Sequence, residues 1–193
     1  MVKQPPSSRW STADLAYPPE NGTRFEIIDG TLLASVQPHL NHQVVCVVLA
    51  SALHQWSRSN QAGLTVYAPG LVFDDDDAVV PDLAWIRQER IDSVIDENGQ
   101  ICDTPDIVIE VLTPGQANER RDRQTKHKLY ARRGVPEYWV VDWTRHEVEI
   151  HRRAKLGLAL AGTLEATDSL GSPLLPGFSL PLRDLFANLP PAR

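Results

Sequence analysis

The chain has 193 residues, 42% of them hydrophobic and 23% charged, which is typical of a globular protein able to bury a core. Its net charge of −6 argues against a protein that coats nucleic acid, and no apolar run approaches the roughly 18 residues of a membrane span. The polar, proline-rich start "MVKQPPSSRW" lacks the apolar core of a signal peptide. We therefore expect a cytoplasmic protein with no membrane partner.

The sequence contains no internal repeat and no linker long enough to separate two domains. We predict one domain over residues 10–187, with a disordered leader at 1–9 and a tail at 188–193. The two cysteines, Cys46 and Cys102, form no CxxC pair and lie in apolar or strand-flanking sequence. This setting predicts free buried thiols rather than a zinc site or a disulfide framework.

The first half of the chain alternates strand and helix patterns. Residues 25–35 have the sequence "FEIIDGTLLAS", in which the "DG" pair predicts the turn of a β-hairpin. Apolar residues follow a helical period over 41–59, with Asn41 as the expected N-cap. Residues 64–73 predict two further strands around a turn, and the acidic run at 74–77 predicts a solvated loop before another short strand.

The second half contains the pattern of a parallel crossover. Residues 106–112 and 137–143 are apolar on both faces, and the segment 117–133 between them is rich in helix-forming Ala, Arg, Lys and Gln. Gly134 is the expected C-terminal glycine of that helix, and a further strand is predicted at 147–153. These elements predict an α/β (mixed α+β) fold with a central mixed β-sheet flanked by helices.

Glu110 is the unusual residue of this pattern, because a lone carboxylate inside an apolar strand is costly or gives up its charge. Asp82 starts another short strand, and on the predicted helix Asp122, Lys126 and Tyr130 follow one another at four-residue spacing along one side. Carboxylates at neighbouring strand ends repel unless a cation lies between them. Oxygen ligands favour Mg²⁺ or Mn²⁺, so a metal site at these residues is one hypothesis.

The spacing alone leaves a second interpretation open. Glu110 and Lys126 can form a buried ion pair with a structural role, and Asp82 can be an ordinary turn residue. Under the metal hypothesis, we expect the bend at "TPG" (113–115) to expose the Glu110 carboxylate at the end of its strand.

Five segments, taken in order, resemble the Uma2 family of restriction-endonuclease-like proteins, a branch of the PD-(D/E)XK nuclease superfamily. They are "FEIIDGTLL" with His42 shortly after it, "PDLAWI", "IVIEVLTP", "RDRQTKHKLYARRGVPEYWVVD" and "SPLLPGFSLPL". Each segment alone is unspecific, but the ordered set is specific and extends over nearly the whole predicted domain. The resemblance implies a restriction-endonuclease-like fold and metal-dependent hydrolysis of phosphodiesters.

The same resemblance implies roles for individual residues. Asp82 matches the aspartate of the "PD" motif and Glu110 the (D/E) position, so both are expected to hold Mg²⁺ or Mn²⁺. Where the superfamily pattern has lysine, two residues after the glutamate, this chain has Leu112. Family members place the lysine on the following helix, and that position is Lys126 here, as the catalytic lysine. Additional candidates for the site are Glu26, His42 and Asp122.

Two functions of different classes remain open at this point. The first is a Mg²⁺-dependent endonuclease that hydrolyses phosphodiester bonds of DNA, and the retained acidic residues and lysine favour it. The alternative is a non-catalytic module that keeps the nuclease fold and binds nucleic acid or a protein, which the negative net charge favours. Seven of the 19 Lys and Arg residues lie in 119–133. This segment can form a local basic face, or it can be an ordinary helix surface whose basic residues have acidic partners. A homodimer is expected for an enzyme that cuts both strands of a duplex.

Overall fold

The computed structural model describes residues 9–16, 23–35 and 37–191, which form a mixed β-sheet structure flanked by helices. The strands of these residues are, in chain order, β1 (Arg24–Ile28), β2 (Thr31–Ser35), β3 (Gly63–Tyr67), β4 (Leu71–Asp74), β5 (Asp77–Val79), β6 (Leu83–Arg87), β7 (Ile107–Val111), β8 (Glu137–Asp142), β9 (Glu147–Ala154), β10 (Gly157–Leu164), β11 (Ser169–Ser172) and β12 (Leu175–Pro181). The helices are α1 (Leu40–Asn60), α2 (Ile91–Val94), α3 (Gln116–Arg120), α4 (His127–Arg133) and α5 (Leu182–Leu185), with a π-helical segment (Arg121–Lys126) between α3 and α4 and 3₁₀ turns at Thr12–Ala16 and Gln88–Arg90. The leader predicted at 1–9 lies, except for its last residue, outside the described residues.

The central sheet has six strands in the order β10-β9-β8-β7-β6-β3. Strands β7 and β8 run parallel, and every other neighbouring pair in this sheet is antiparallel. Helix α3, the π-helical segment and α4 together form the crossover that connects the parallel pair, and Gly134 ends α4 at a φ of +88°. The predicted fold class is therefore confirmed, including the parallel crossover.

Strand β7 separates two apolar cores because its side chains alternate between the faces of the sheet. Ile107, Ile109 and Val111 belong to the core that includes apolar residues of α1, while Val108 and Leu112 belong to the core on the side of α4. Burial of each such side chain contributes roughly 1.5–3 kcal/mol. Glu110 has the same parity as the second group, so it points toward the crossover helix.

A second sheet, in the order β2-β1-β5-β4, covers the crossover helix near this point. The predicted hairpin is confirmed, and its turn residues Asp29 and Gly30 both have positive φ, as a two-residue hairpin turn of the I′ type requires. Arg132 of α4 forms ion pairs with Asp29 and with Asp77 of β5. These pairs hold the small sheet against the crossover helix and bring β1 close to β7.

Three local predictions are corrected by the structure. Helix α1 is capped by His39, whose side chain accepts a hydrogen bond from the backbone N–H of Asn41, so Asn41 is not the N-cap. The acidic run is not a solvated loop throughout, since Asp77 is 1% exposed and pairs with arginines of α4. Both cysteines are free as expected, but Cys102 is exposed and only Cys46 is buried. Of these three corrections, only that of Asp77 depends on residues far away in the sequence.

The C-terminal part of the described chain packs beside α1. The side chain of Asn41 donates to the carbonyl of Pro190 at 2.9 Å, which fixes part of the segment predicted as a tail. No helix among the described residues is both long and apolar enough to cross a membrane.

Candidate functional site

A cleft of about 440 Å³ lies where the carboxyl end of β7, the start of α1, the small sheet and the π-helical segment meet. The fold brings most of the predicted site residues into this cleft. Its charged and imidazole-bearing lining residues are Arg24, Glu26, His42, Asp82, Glu110, Arg121 and Lys126. Asp122 does not line the cleft but lies buried directly behind Arg121.

Lys126 lies at the centre of the acidic residues. Its Nζ is 2.9 Å from Oε1 of Glu110 and 2.9 Å from Oε1 of Glu26, and all three side chains are almost completely buried. The Tyr130 hydroxyl donates to the same Oε1 of Glu110 at 2.7 Å. Lys126 and Tyr130 thus use the helical spacing of four residues to reach one carboxylate on the neighbouring strand.

The ammonium group of Lys126 does not balance all the negative charge around it. Burial raises the pKa of Glu110 to about 8; Lys126 opposes this rise, while Asp82, Asp122 and Glu26 add to it. Burial also disfavours a charged Lys126, but Glu110, Glu26 and Asp122 outweigh it and raise the pKa of the lysine. The lysine therefore stays charged, and Glu110 holds a proton near neutral pH unless another cation takes its place.

Asp82 uses one carboxylate oxygen for protein donors. Its Oδ2 accepts the backbone N–H of Val111 at 2.8 Å and lies 3.1 Å from Nε2 of His42. Its Oδ1 has a more distant neighbour, the Arg24 guanidinium at 3.9 Å. Burial opposes the charged form, but the His42 hydrogen bond, the charge of Lys126 and the Val111 N–H together lower the pKa of Asp82. Asp82 is thus held as a carboxylate in a fixed orientation.

His42 links Asp82 to the interior of α1. On the other side of its ring, Nδ1 lies 3.6 Å from Sγ of Cys46, one helical turn later. The carboxylate of Asp82 can only accept, which favours the tautomer with a proton on Nε2 and leaves Nδ1 to accept the thiol proton. Burial raises the pKa of the Cys46 thiol, so that this thiol is a donor rather than a nucleophile. The chain Cys46–His42–Asp82 orients the aspartate.

The π-helical segment places Asp122 and Lys126 on the buried side of the crossover helix. Such segments are rare and occur frequently at functional sites. Asp122 accepts from Nε of Arg121 at 2.9 Å, and its backbone carbonyl accepts the Tyr138 hydroxyl at 3.0 Å. Burial raises the pKa of Asp122 although Lys126 and Arg121 oppose that rise. Arg121 in turn presents part of its guanidinium side chain to the cleft.

The donor set fits a hard divalent cation. Glu26, Asp82 and Glu110 offer carboxylate oxygens in one cleft, where a proton on Glu110 otherwise relieves the excess charge. His42, Cys46 and Asp82 also place ligand atoms within 4.8 Å of one another, which is a donor set for a softer metal. However, Asp82 and Cys46 approach different nitrogens of the His42 ring, and one imidazole does not present both nitrogens to a single ion. The hydrogen-bonded chain accounts for this cluster better.

One expectation about the site is wrong. Glu110 was expected to be exposed at the end of its strand, but it is 2% exposed. Pairing of β7 with β8 continues past the glutamate, since Val111 pairs with Val141 and the N–H of Leu112 donates to the carbonyl of the same valine. The glutamate thus lies within the sheet, and β1 supplies Glu26 from the other side of Lys126.

Cys46, which lies behind His42, and the cleft residues Arg24 and Arg121 are not among the site residues predicted from the sequence. Cys46 follows His42 at the helical spacing of four residues, which is a signal that was present in the sequence. Arg24 and Arg121 carry no local signal, because only the packing of β1 and the π-helical segment brings them to the cleft.

Comparisons with known proteins agree with this architecture. The family model described as "Uma2: Putative restriction endonuclease" matches residues 12–183, nearly the whole chain. The chain belongs to the Uma2 family. Among solved structures, this Uma2 chain is similar to "a putative nuclease belonging to DUF820" from Anabaena variabilis ATCC 29413, with a TM-score of 0.69 over 88% of this chain and 93% of that one. The two sequences are 20% identical, so this likeness shows the fold alone. No match was found among curated proteins.

Proposed function

We propose that this Uma2 protein is a Mg²⁺- or Mn²⁺-dependent endonuclease that hydrolyses phosphodiester bonds of DNA. Asp82 and Glu110 are its metal ligands, and Lys126 is the assisting catalytic residue. The observation that carries the proposal is the convergence of Lys126 with Glu26, Asp82 and Glu110 in one cleft. Membership of a family described as restriction-endonuclease-like supports the same reaction class.

The residues of the cleft divide the chemical tasks among them. When bound, the metal ion polarises a phosphate oxygen and acidifies a water molecule. Asp82 contributes a carboxylate whose orientation is fixed by Val111 and His42. Lys126 keeps its proton because its acidic neighbours raise its pKa, so its charge stabilises the additional negative charge that develops on the phosphoryl oxygens.

The arginines of the cleft supply the remaining positive charge. Arg24 and Arg121 both line it, and both guanidinium groups are partly exposed. Guanidinium groups bind phosphate oxygens through two parallel hydrogen bonds. Arg24 can therefore hold a phosphate of the substrate, whereas Arg121 already donates from Nε and Nη2 to Asp122.

Buried carboxylates paired with a lysine contribute little to the stability of a fold, so a purely structural role accounts poorly for this cluster. Replacing a buried ion pair by apolar side chains of similar volume is often neutral or stabilising, so the pair at Glu110 and Lys126 is weak support for a structural role. Burial raises the pKa of Glu110 although Lys126 opposes the rise, which supports a role for a further cation beside this carboxylate.

Calorimetric titration with Mg²⁺ or Mn²⁺ tests the metal site directly. We expect the wild-type protein to bind the ion and the Glu110→Gln variant to bind it at least about tenfold more weakly, since one charged ligand is lost. Glu97→Gln makes the same chemical change at an exposed residue and should bind like the wild type. Equal affinities for wild type and Glu110→Gln would contradict the assignment.

Nicking of supercoiled plasmid in the presence of Mn²⁺ tests the activity. Lys126→Ala should abolish the nicking, whereas Lys128→Ala, which changes an exposed lysine on the same helix, should leave it intact. Nicking that persists in Lys126→Ala would exclude this site as its source. A protein that binds the metal but never hydrolyses a phosphodiester would favour the alternative, a non-catalytic module that binds nucleic acid or a protein.

The proposed homodimer follows only if the enzyme cuts both strands of a duplex, because one small domain contributes one active site. Light scattering coupled to size-exclusion chromatography checks this. A monomer at working concentration, together with double-strand cleavage, would contradict it.

A further inference from the structure

The cleft is both small and deep. Its volume of about 440 Å³ lies in the range of pockets that hold one small-molecule ligand, roughly 300–1,000 Å³. At its base Glu26, Glu110 and Lys126 are each 2% exposed, and Asp82 is 7% exposed. A phosphate that reacts there must therefore enter the cleft, together with little more than its own nucleotide.

A duplex is poorly suited to such a site. Its phosphates lie on the outside of a stiff rod with a persistence length of about 150 base pairs, so that bringing one of them into a narrow cleft requires bending or unpairing. An enzyme that accepts this cost normally tracks the duplex with Lys and Arg side chains.

The basic residues of the crossover helix are mostly committed to protein carboxylates. Of the seven Lys and Arg residues in 119–133, five form ion pairs within the protein. These five are Arg121, Arg123, Lys126, Arg132 and Arg133. The basic segment is therefore a helix surface whose basic residues mostly have acidic partners, and not a local basic face. The segment is therefore not a free surface for duplex phosphates.

An aromatic ring lies at the mouth of the cleft. Tyr67 ends β3 at the edge of the central sheet, and its side chain is more exposed, at 49%, than that of any other Trp, Tyr or Phe of the described residues. The backbone pairs Tyr67 with Leu83, and the next residue, Ala68, donates its N–H to the carbonyl of Asp82 at 2.9 Å. The Tyr67 hydroxyl donates at 2.8 Å to Oε1 of Gln43, which lines the cleft.

About half of the surface of Tyr67 stays exposed to solvent. Burial of an aromatic side chain stabilises a protein, so a ring that stays half exposed forgoes part of that gain. The hydrogen bond to Gln43, which lines the cleft, limits rotation of the ring and holds it beside the cleft. An exposed aromatic ring beside a cleft that contains a guanidinium group is an arrangement with which proteins bind single strands, since every base has a face that stacks.

From these features we infer that the substrate is a single-stranded nucleic acid, with one base stacked on Tyr67 while an adjacent phosphate enters the cleft beside Arg24. This inference rests on the proposed function and specifies its substrate. Stacking does not distinguish between bases, so recognition is tolerant of sequence. A flexible strand reaches the buried acidic residues without the bending that a duplex requires.

Fluorescence anisotropy with a labelled oligothymidine tests the inference through binding alone. Ca²⁺ replaces Mg²⁺ in the buffer so that the strand is not cleaved, and a denaturing gel verifies that it stays intact. The same strand annealed to oligodeoxyadenosine serves as the duplex DNA probe. We expect single-strand binding at least about tenfold tighter than duplex binding. Tyr67→Ala should weaken single-strand binding by at least about fivefold, the loss expected for one base–aromatic stack. Tyr67→Phe keeps the ring but loses the hydrogen bond to Gln43, so its loss of affinity should be clearly smaller than that of Tyr67→Ala.

Several results would overturn the inference. These are equal or tighter binding of the duplex, no detectable binding of the single strand, an unchanged affinity in Tyr67→Ala, or a loss in Tyr67→Phe as large as in Tyr67→Ala. An oligouridine probe of equal length shows whether RNA, DNA or both meet the single-strand criterion, and a preference for the duplex of either would refute it. Thermal unfolding of each variant verifies that the substitution at this half-exposed residue leaves the fold intact.

The outcome of the binding assay is independent of hydrolysis. Tyr67-dependent binding of a single strand by a protein that cleaves nothing would refute the nuclease proposal and leave the binding site standing. Metal-dependent cleavage of a duplex that is equal in wild type and Tyr67→Ala would support the nuclease proposal and refute the single-strand inference.

Discussion

Glu110 should make the stability of the metal-free protein depend on pH. Burial raises its pKa from 4.5 to about 8, so between these values the folded protein holds a proton that the unfolded chain has released. The stabilisation is complete below about pH 4.5 and is lost as the pH rises through about 8. Metal-free wild-type protein should therefore become less stable between pH 6 and pH 8, whereas Glu110→Gln, which cannot lose a proton, should lose most of this dependence.

The magnitude follows from the two pKa values. One pH unit corresponds to about 1.36 kcal/mol per proton, and the folded group is half ionised at its pKa, which leaves about 2 kcal/mol between pH 6 and pH 8. For a chain of this length, about 2 kcal/mol corresponds to a decrease in Tm of roughly 4–8 °C. The side chain is fully buried, so solvent screening reduces the effect little.

Thermal unfolding followed by circular dichroism in EDTA measures this decrease. Mn²⁺ should restore the Tm of the wild type at pH 8, because the ion replaces the proton, and a concentration about 100 times its Kd contributes about 2.7 kcal/mol. It should have much less effect on Glu110→Gln. The exposed Glu97→Gln variant should follow the wild type throughout. A wild-type Tm that is constant from pH 6 to pH 8 in EDTA, or an equal decrease in Glu110→Gln, would refute the reasoning.

Three further outcomes are expected. Lys126→Ala removes the cation that is buried between Glu26 and Glu110 and should lower the free energy of unfolding by about 3–5 kcal/mol, as measured by urea denaturation at neutral pH. A loss below about 1 kcal/mol would contradict the buried pairing. His42→Ala removes the hydrogen bond that orients Asp82, so Mn²⁺ binding measured by calorimetry should become about 10- to 100-fold weaker. An unchanged affinity would argue against the orienting role of His42. Asp77→Asn should destabilise the protein at neutral pH, because hydrogen bonds from arginines outweigh burial and lower the pKa of this carboxyl in the folded protein. The extra stability of the wild type is present above about pH 3.8 and is lost as the pH falls through the folded pKa. Equal free energies of unfolding for the two proteins at about pH 7 would contradict this.

The sequence by itself determined the framework of the fold. Two runs that are apolar on both faces, joined by a helix that ends at Gly134, predict a parallel crossover, and the structure contains it. The period of two in the strand also placed Glu110 on the face opposite Ile109, and the helical spacing placed Lys126 and Tyr130 on one side of the crossover. These features depend on residues close together in the chain, and local geometry is enough to predict them.

Only the tertiary structure decided how the site is assembled. The burial of Glu110, the contact of Glu26 with Lys126 and the hydrogen bond from His42 to Asp82 join residues far apart in the sequence. Propensity and periodicity carry no information about such pairs, because Glu26 reaches Lys126 only when the small sheet packs on the crossover helix and His42 reaches Asp82 only when α1 packs on the central sheet. Packing of the small sheet also pairs Arg132 and Arg133 with Asp77, and the position of Tyr67 on the edge strand of the central sheet leaves it half exposed.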